Sequence, residues 1–172
     1  MRWILETDRL KLRELGPDDA AFAFELNADP QVVRYTGDEP FASVEAAQAF
    51  LAGYADYRVH GMGRWLVVRK SDGEALGWCG LKRHPTGEVD VGYRFFRRHW
   101  GRGYATEACA ACIEYGFREL GLEQIVAHAM VDNAASIRVM VKCHMSFSSA
   151  DEQHGQNAVI YRIERRKQER QS

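Results

Sequence analysis

Arg94-Phe95-Phe96-Arg97-Arg98-His99-Trp100-Gly101-Arg102-Gly103-Tyr104-Ala105-Thr106-Glu107-Ala108 is the stretch on which the fold turns. Leading into it, Glu88-Val89-Asp90-Val91-Gly92-Tyr93-Arg94-Phe95 alternates polar and apolar residues, the period of a strand, with Gly92 placed for a bulge. Leading out of it, apolar positions recur at helical spacing from Tyr104 to Leu120, and Gly121 closes the helix. Gly101-Arg102-Gly103 separates the two. A strand, a glycine turn and a helix start make an anion site, because the first helical amides lack an internal partner and sit at the positive end of the dipole. Glycine at 101 and 103 lets the backbone approach an anion and take positive φ. A diphosphate laid across Gly101, Arg102, Gly103, Tyr104, Ala105 and Thr106 would satisfy those donors, and Arg102 would add a charge-assisted bond. Neither G-x-G-x-x-G nor G-K-[ST] is present, so the dinucleotide fingerprint and the P-loop are both unmet. Taken alone, Gly-Arg-Gly reads equally well as a βα turn with no ligand.

Working outward, Leu10-Lys11-Leu12-Arg13 alternates as a first strand, and Gly16-Pro17-Asp18-Asp19 opens a helix that Ala21 to Leu26 continues. Ser43 caps a second helix with Val44, Ala47, Phe50, Leu51 and Tyr54 on its apolar face. Past His60-Gly61-Met62-Gly63 the period becomes two. Trp65 to Val68 and Ala75 to Leu81 form a hairpin about Ser71-Asp72-Gly73, and Pro85-Thr86-Gly87 turns into the strand ending at Phe95. Beyond the long helix come a strand from Gln124 to Val131 and a short helix from Ala134 to Cys143 capped by Asn133. Two weaker strands follow, Met145 to Ser149 and Ala158 to Ile163, then a charged tail over 164–172. The pattern predicts one α+β domain spanning 1–172, with a mostly antiparallel sheet of about seven strands and about four helices.

Composition narrows the class. The 172 residues are 46% hydrophobic and 27% charged, as expected of a soluble globular enzyme. A formal net charge of -1 argues against a nucleic-acid or anionic-membrane partner. No apolar run approaches a bilayer span and Met1-Arg2-Trp3-Ile4-Leu5-Glu6 lacks a signal-peptide core, so a cytoplasmic location is expected. Cys79, Cys109, Cys112 and Cys143 fit a reducing compartment. Cys109 and Cys112 are spaced C-x-x-C, but no second pair with zinc-finger spacing accompanies them, so they read as small buried thiols on a helix and no metal is expected.

The quoted stretch resembles the acetyl-CoA signature of the GNAT superfamily of N-acetyltransferases, Q/R-x-x-G-x-G/A. It fits either as Arg98 to Gly103 or, in the preferred register, as Trp100-Gly101-Arg102-Gly103-Tyr104-Ala105. The run G-x-G-Y-A-T-E-A is typical of the branch named for ribosomal-protein alanine acetyltransferases. Glu6-Thr7-Asp8-Arg9-Leu10-Lys11-Leu12-Arg13 is similar to that branch's opening strand. Asp90-Val91-Gly92-Tyr93 resembles its E-I-G-Y strand, and Asn133-Ala134-Ala135-Ser136-Ile137-Arg138-Val139 its N-x-x-S-x-R-V segment.

This resemblance implies a splayed mixed sheet and direct transfer of acetyl from acetyl-CoA, a cosubstrate, to a primary amine on a protein N-terminus or a small molecule. It also makes a homodimer plausible. Pantetheine would lie along Tyr93, Phe95 and Arg97 like an added strand, with the diphosphate on the glycine turn and Asn133, Ser136 and Lys142 completing the cofactor set. An amide near Val91-Gly92 would hold the oxyanion. Glu88 and Asp90 face one side of a strand, and either is a candidate base, Asp90 being favoured because it aligns with the family acid; a solvated hairpin is the competing explanation of both. Many relatives carry a proton-donating Tyr seven residues after the Asn, where this chain has Met140. Ser136 is then the nearest candidate acid, as well as a candidate helix-start hydrogen bonder. Lys142-Cys143-His144-Met145 replaces the family K-x-G-F, setting His where Gly supplies a left-handed cap. Tyr35, Trp78 and Tyr93 are candidate amine-pocket walls. A catalytically silent acyl-CoA-binding module is the competing reading.

Overall fold

The computed structural model describes residues 2–153 and 156–166. Eight strands form one sheet in the order β1-β2-β3-β4-β5-β6-β8-β7. They are β1 Trp3–Glu6, β2 Leu10–Glu14, β3 Arg64–Arg69, β4 Ala75–Arg83, β5 Val89–Phe95, β6 Gln124–Met130, β7 Ser146–Gln153 and β8 Gln156–Glu164. Neighbours are antiparallel except β5 and β6, which run parallel and meet at Asp90↔Val126 alone. Past that pair the sheet splays, with residues 91–95 on one lip and 127–130 on the other. The mixed, splayed α+β sheet expected from the sequence is therefore present.

Helices cover both faces: α1 Ala20–Ala28, α2 Pro30–Val33, α3 Val44–Ala52, α4 Asp56–His60, α5 Tyr104–Arg118 and α6 Ala134–Lys142. Strand alternation sorts the side chains. Cys79, Val91, Tyr93 and Phe95 point to the main core, where α5 contributes Ala108, Cys109, Cys112 and Ile113 and α6 contributes Met140. Trp78 takes the opposite face and packs on a smaller cluster of Leu26, Val32 and Phe96. Asp90, Gly92 and Arg94 share that second face by the same alternation.

The structure amends several expectations. Trp3–Glu6 pairs with β2 as an additional strand, and the short helices α2 and α4 raise the helix count. Gly92 is not a bulge: the β4–β5 register runs unbroken from Gly77↔Phe95 to Arg83↔Val89. The helix cap of α6 is intact despite the missing glycine. His144 takes φ 65 itself, and the Met145 and His144 amides donate to the Met140 and Val141 carbonyls at 3.0 Å each, closing a Schellman motif. Glu164 ends β8 instead of opening a tail, Arg165 pairs with Glu123, and the tail from 167 to 172 lies outside the described residues. Among the described residues no helix is long and apolar enough to cross a membrane.

Candidate active site

The splay between β5 and β6 opens into a cleft of about 670 Å³. Every sequence-predicted site residue lines it except Glu88, Arg97 and Arg102. Arg97 turns away to an ion pair with Asp29, 3.2 Å. Arg102 is exposed and contributes its carbonyl, which accepts from Arg9 Nη1 at 3.0 Å.

One end of the cleft is the glycine turn. Gly101 and Gly103 adopt φ 74 and 80, which lets the chain reverse so that α5 starts with its free amides facing the opening. A clamp absent from the sequence reading fixes this turn. Glu107 Oε1 accepts from Thr7 Oγ1 at 2.6 Å and from the Arg9 amide at 2.9 Å, while Oε2 accepts from Arg9 Nε at 2.7 Å. Burial would raise the Glu107 carboxyl, but these donors outweigh it and hold it below its ordinary value. The chain's opening motif and the helix motif are thus two halves of one contact. Asn133 Oδ1 accepts from the Ser136 amide at 3.2 Å and caps α6 as expected.

The other end is built from side chains. Arg64, Gly80 and Gly92 stand in register across β3, β4 and β5. A Cβ on Gly92 would come within 2.8 Å of the Arg64 guanidinium, so that glycine lets the side chain lie over the sheet, while a Cβ on Gly80 would strike the Gly63 carbonyl oxygen at 2.0 Å. Arg64 Nη1 donates to the Gly80 carbonyl at 2.8 Å, and Nη2 comes 2.8 Å from Asp90 Oδ1. His84 Nε2 stands 3.2 Å from Asp90 Oδ2. Both Asp90 contacts are close but misaligned for hydrogen bonding, and Oδ1 and His84 Nε2 have no such partner. Glu88 sits at the rim with Oε1 3.2 Å from His128 Nε2. Trp78 is held between two guanidinium groups, Arg64 at 5.4 Å and Arg94 at 5.1 Å from its ring centre. Arg94 donates to Asn27 Oδ1 at 2.7 Å and Asp38 Oδ2 at 2.6 Å. Arg34 stacks on Tyr35 at 5.0 Å.

A splayed β5–β6 pair beside a glycine-started helix agrees with the comparisons. The family model for the acetyltransferase (GNAT) domain matches residues 9–146. The chain belongs to the GNAT acetyltransferase family. It is 37% identical over 147 residues to the uncharacterized N-acetyltransferase YoaA of Bacillus subtilis, covering 81% of this chain and 80% of that one. It is 34% identical over 154 residues to the FsC-acetyl coenzyme A-N(2)-transacetylase of Aspergillus fumigatus, covering 83% of this chain and 64% of that protein. Spermidine N-acetyltransferase from Vibrio cholerae, solved with CoA and spermine, superposes with TM-score 0.75 at 19% identity over 92% of this chain and 96% of that one. This chain is accordingly an N-acetyltransferase.

In this acetyltransferase Met140 is 1% exposed and packs in the core under the cleft. The phenol that reaches the start of α6 comes instead from β5. Tyr93 Oη donates to the Ser136 carbonyl at 2.9 Å and lies 2.9 Å from Ser136 Oγ. Burial is the largest influence on Tyr93 and raises its pKa, with the Ser136 bond opposing. The sequence reading placed both residues at the site without pairing them. The four cysteines are buried free thiols. Among the described residues no group of three or more His, Cys, Asp or Glu is arranged to hold a metal.

Proposed function

We propose that this acetyltransferase carries acetyl from acetyl-CoA to a primary amine by direct attack within one ternary complex, with Asp90 as the base. The observation that carries this reading is the position of Asp90: it is 9% exposed, at the one point where β5 and β6 still pair, with the cleft opening immediately beyond it. The surroundings fit acetyl-CoA. Amides of Gly101, Gly103, Tyr104, Ala105 and Thr106 would receive the diphosphate, the free edge of β5 from Tyr93 through Phe95 would align the pantetheine, and Asn133 and Lys142 would border it. Bound there, acetyl-CoA supplies an activated acyl group.

The incoming amine must be neutral. An α-amine, with a pKa near 7.7–8.0, meets that condition with a modest base, whereas a lysine side chain near 10.4 asks more. Its nitrogen attacks the thioester carbonyl, the C–N bond forms and the C–S bond breaks. One proton passes from nitrogen to Asp90 through a water, and one reaches the departing sulfur. The 91–92 backbone amides would hold the oxyanion. Tyr93 is proposed as the source of the second proton, backed by Ser136, because its phenol is the O–H donor that β5 brings to the start of α6. Glu88 with His128 forms a second acid-base pair at the rim.

Release of CoA with a panel of amines tests the reading. Turnover that requires both acetyl-CoA and an amine supports it. Met140 in place of a proton-donating Tyr favours the silent binding module as the second reading; tight acetyl-CoA binding with no turnover on any amine would establish that module instead.

A further inference from the structure

We infer that the acceptor is a primary amine bearing a carboxylate, and that Arg34 and Arg94, with Arg64 beside them, receive that carboxylate. This rests on the acetyl transfer proposed above. Charge along the cleft carries the argument. Arg34, Arg64, Arg94, Arg138 and Lys142 all line it, and Asp90 is the lining carboxylate. Arg138 and Lys142 belong to α6, the helix proposed to border the cofactor, where they suit the phosphates of CoA. The other three lie on the side away from that helix and face no cofactor phosphate in the proposed pose.

Arg94 is the clearest of the three. Its side chain is 9% exposed, yet Nε is buried with no hydrogen-bond partner. A guanidinium has five N–H donors, and the two bonds to Asn27 and Asp38 leave others unused on a residue that lines the cleft. A buried donor left unpaired is costly, and a planar carboxylate is the group that a guanidinium fork fits best. Arg64 is half-engaged, its polar contacts being the Gly80 carbonyl and Asp90. Arg34 stacks on Tyr35 and pairs with no carboxylate among the described residues. Asp90, the carboxylate among the lining residues, is already balanced by Arg64, so it is not free to offset the second ammonium of a polyamine. That ammonium would meet guanidinium groups instead.

The test uses dipeptide amides whose α-amines titrate alike: alanine followed by Asp or Glu, against alanine followed by Asn or Gln, with spermidine as a cationic comparison. Rates of CoA release are read alongside calorimetric titration of the same peptides into the CoA-loaded protein. One charged hydrogen bond predicts an acidic preference of about tenfold or more in kcat/KM and in Kd. Arg94→Gln and, independently, the exposed Arg34→Gln should bring that ratio toward one. Arg34→Gln decides the matter if loss of the Asp38 tie unfolds the Arg94 variant. Equal binding of acidic and amide peptides, or better use of spermidine, overturns the inference and leaves acetyl transfer standing. Tenfold tighter acidic peptides without turnover would preserve the inference and remove the proposed activity.

Discussion

At the α5 end of the cleft, the groups facing the opening are mainly backbone: the amides after Gly103 and the unpaired edge of β5 past Asp90. At the other end they are side chains drawn from three strands and a loop, with Arg64, Trp78, Asp90 and Arg94 on the sheet and Arg34 and Tyr35 after α2. A backbone site depends on conformation, so many sequences build it provided glycines hold the turn. A side-chain site changes with each substitution. The difference fits the proposed division of the cleft into a cofactor end at the first and an acceptor end at the second.

Two substitutions should separate the ends. Asp90→Asn keeps the shape of the acceptor end but removes the proposed base, and kcat should fall about 1000-fold, within the usual range for a lost general base. Acetyl-CoA affinity by calorimetry should stay within about twofold, since Asp90 is proposed to face the acceptor. An unchanged kcat would take Asp90 out of the mechanism. Gly103→Val does the reverse. The position has φ 80, a conformation strained for any side chain, and its Cβ would stand 3.4 Å from Arg9 Nη2. Acetyl-CoA affinity should drop on the order of 100-fold, from strain at a β-branched residue and lost access to the amides. Normal affinity there would mean that the phosphates lie elsewhere.

The same contrast explains what could be read from the sequence. The glycine turn, the strand before it and the helix after it are contiguous, and their chemistry is that of the backbone, so the cofactor end was legible together with the family. Its clamp was not, because Thr7 and Glu107 are 100 positions apart and no local period connects them. The acceptor end depends on register. Starting β3 at Trp65 in the sequence reading left Arg64 outside the strand, and only the alignment of Arg64, Gly80 and Gly92 shows why a glycine stands at 92. That residue is a space for a guanidinium, not the bulge its composition suggested. Tyr93 and Ser136 were named separately, and folding alone shows them as a pair.

The clamp gives a smaller and pH-dependent effect. Glu107 is held below its ordinary value of 4.5, so the folded protein keeps this carboxylate charged where the unfolded chain would protonate it. Its stabilisation is fully present above that value and is lost as pH falls through the lower folded value. Glu107→Gln should cost about 1 to 2 kcal/mol at pH 7, with the gap to wild type closing as the pH is lowered toward 3. Urea melts at several pH values measure this. A constant gap would mean that the contact stabilises through packing and not through charge.

The smallest effect belongs to neither end. His144 terminates α6 beyond the residues proposed to contact the cofactor, and holds φ 65 only because the Schellman bonds require it. A side chain in that conformation costs about 1 kcal/mol, which glycine would relieve. Glycine also gains freedom in the unfolded chain, cancelling part of the benefit, so His144→Gly should stabilise by about 0.5 kcal/mol and raise Tm by about 1 to 2 °C. Because the carbonyls of Met140 and Val141 keep the same donors, acetyl-CoA affinity should not move. A fall in Tm would show that the His144 ring makes compensating contacts, and a change in affinity would show that the far end of α6 is coupled to the cofactor end after all.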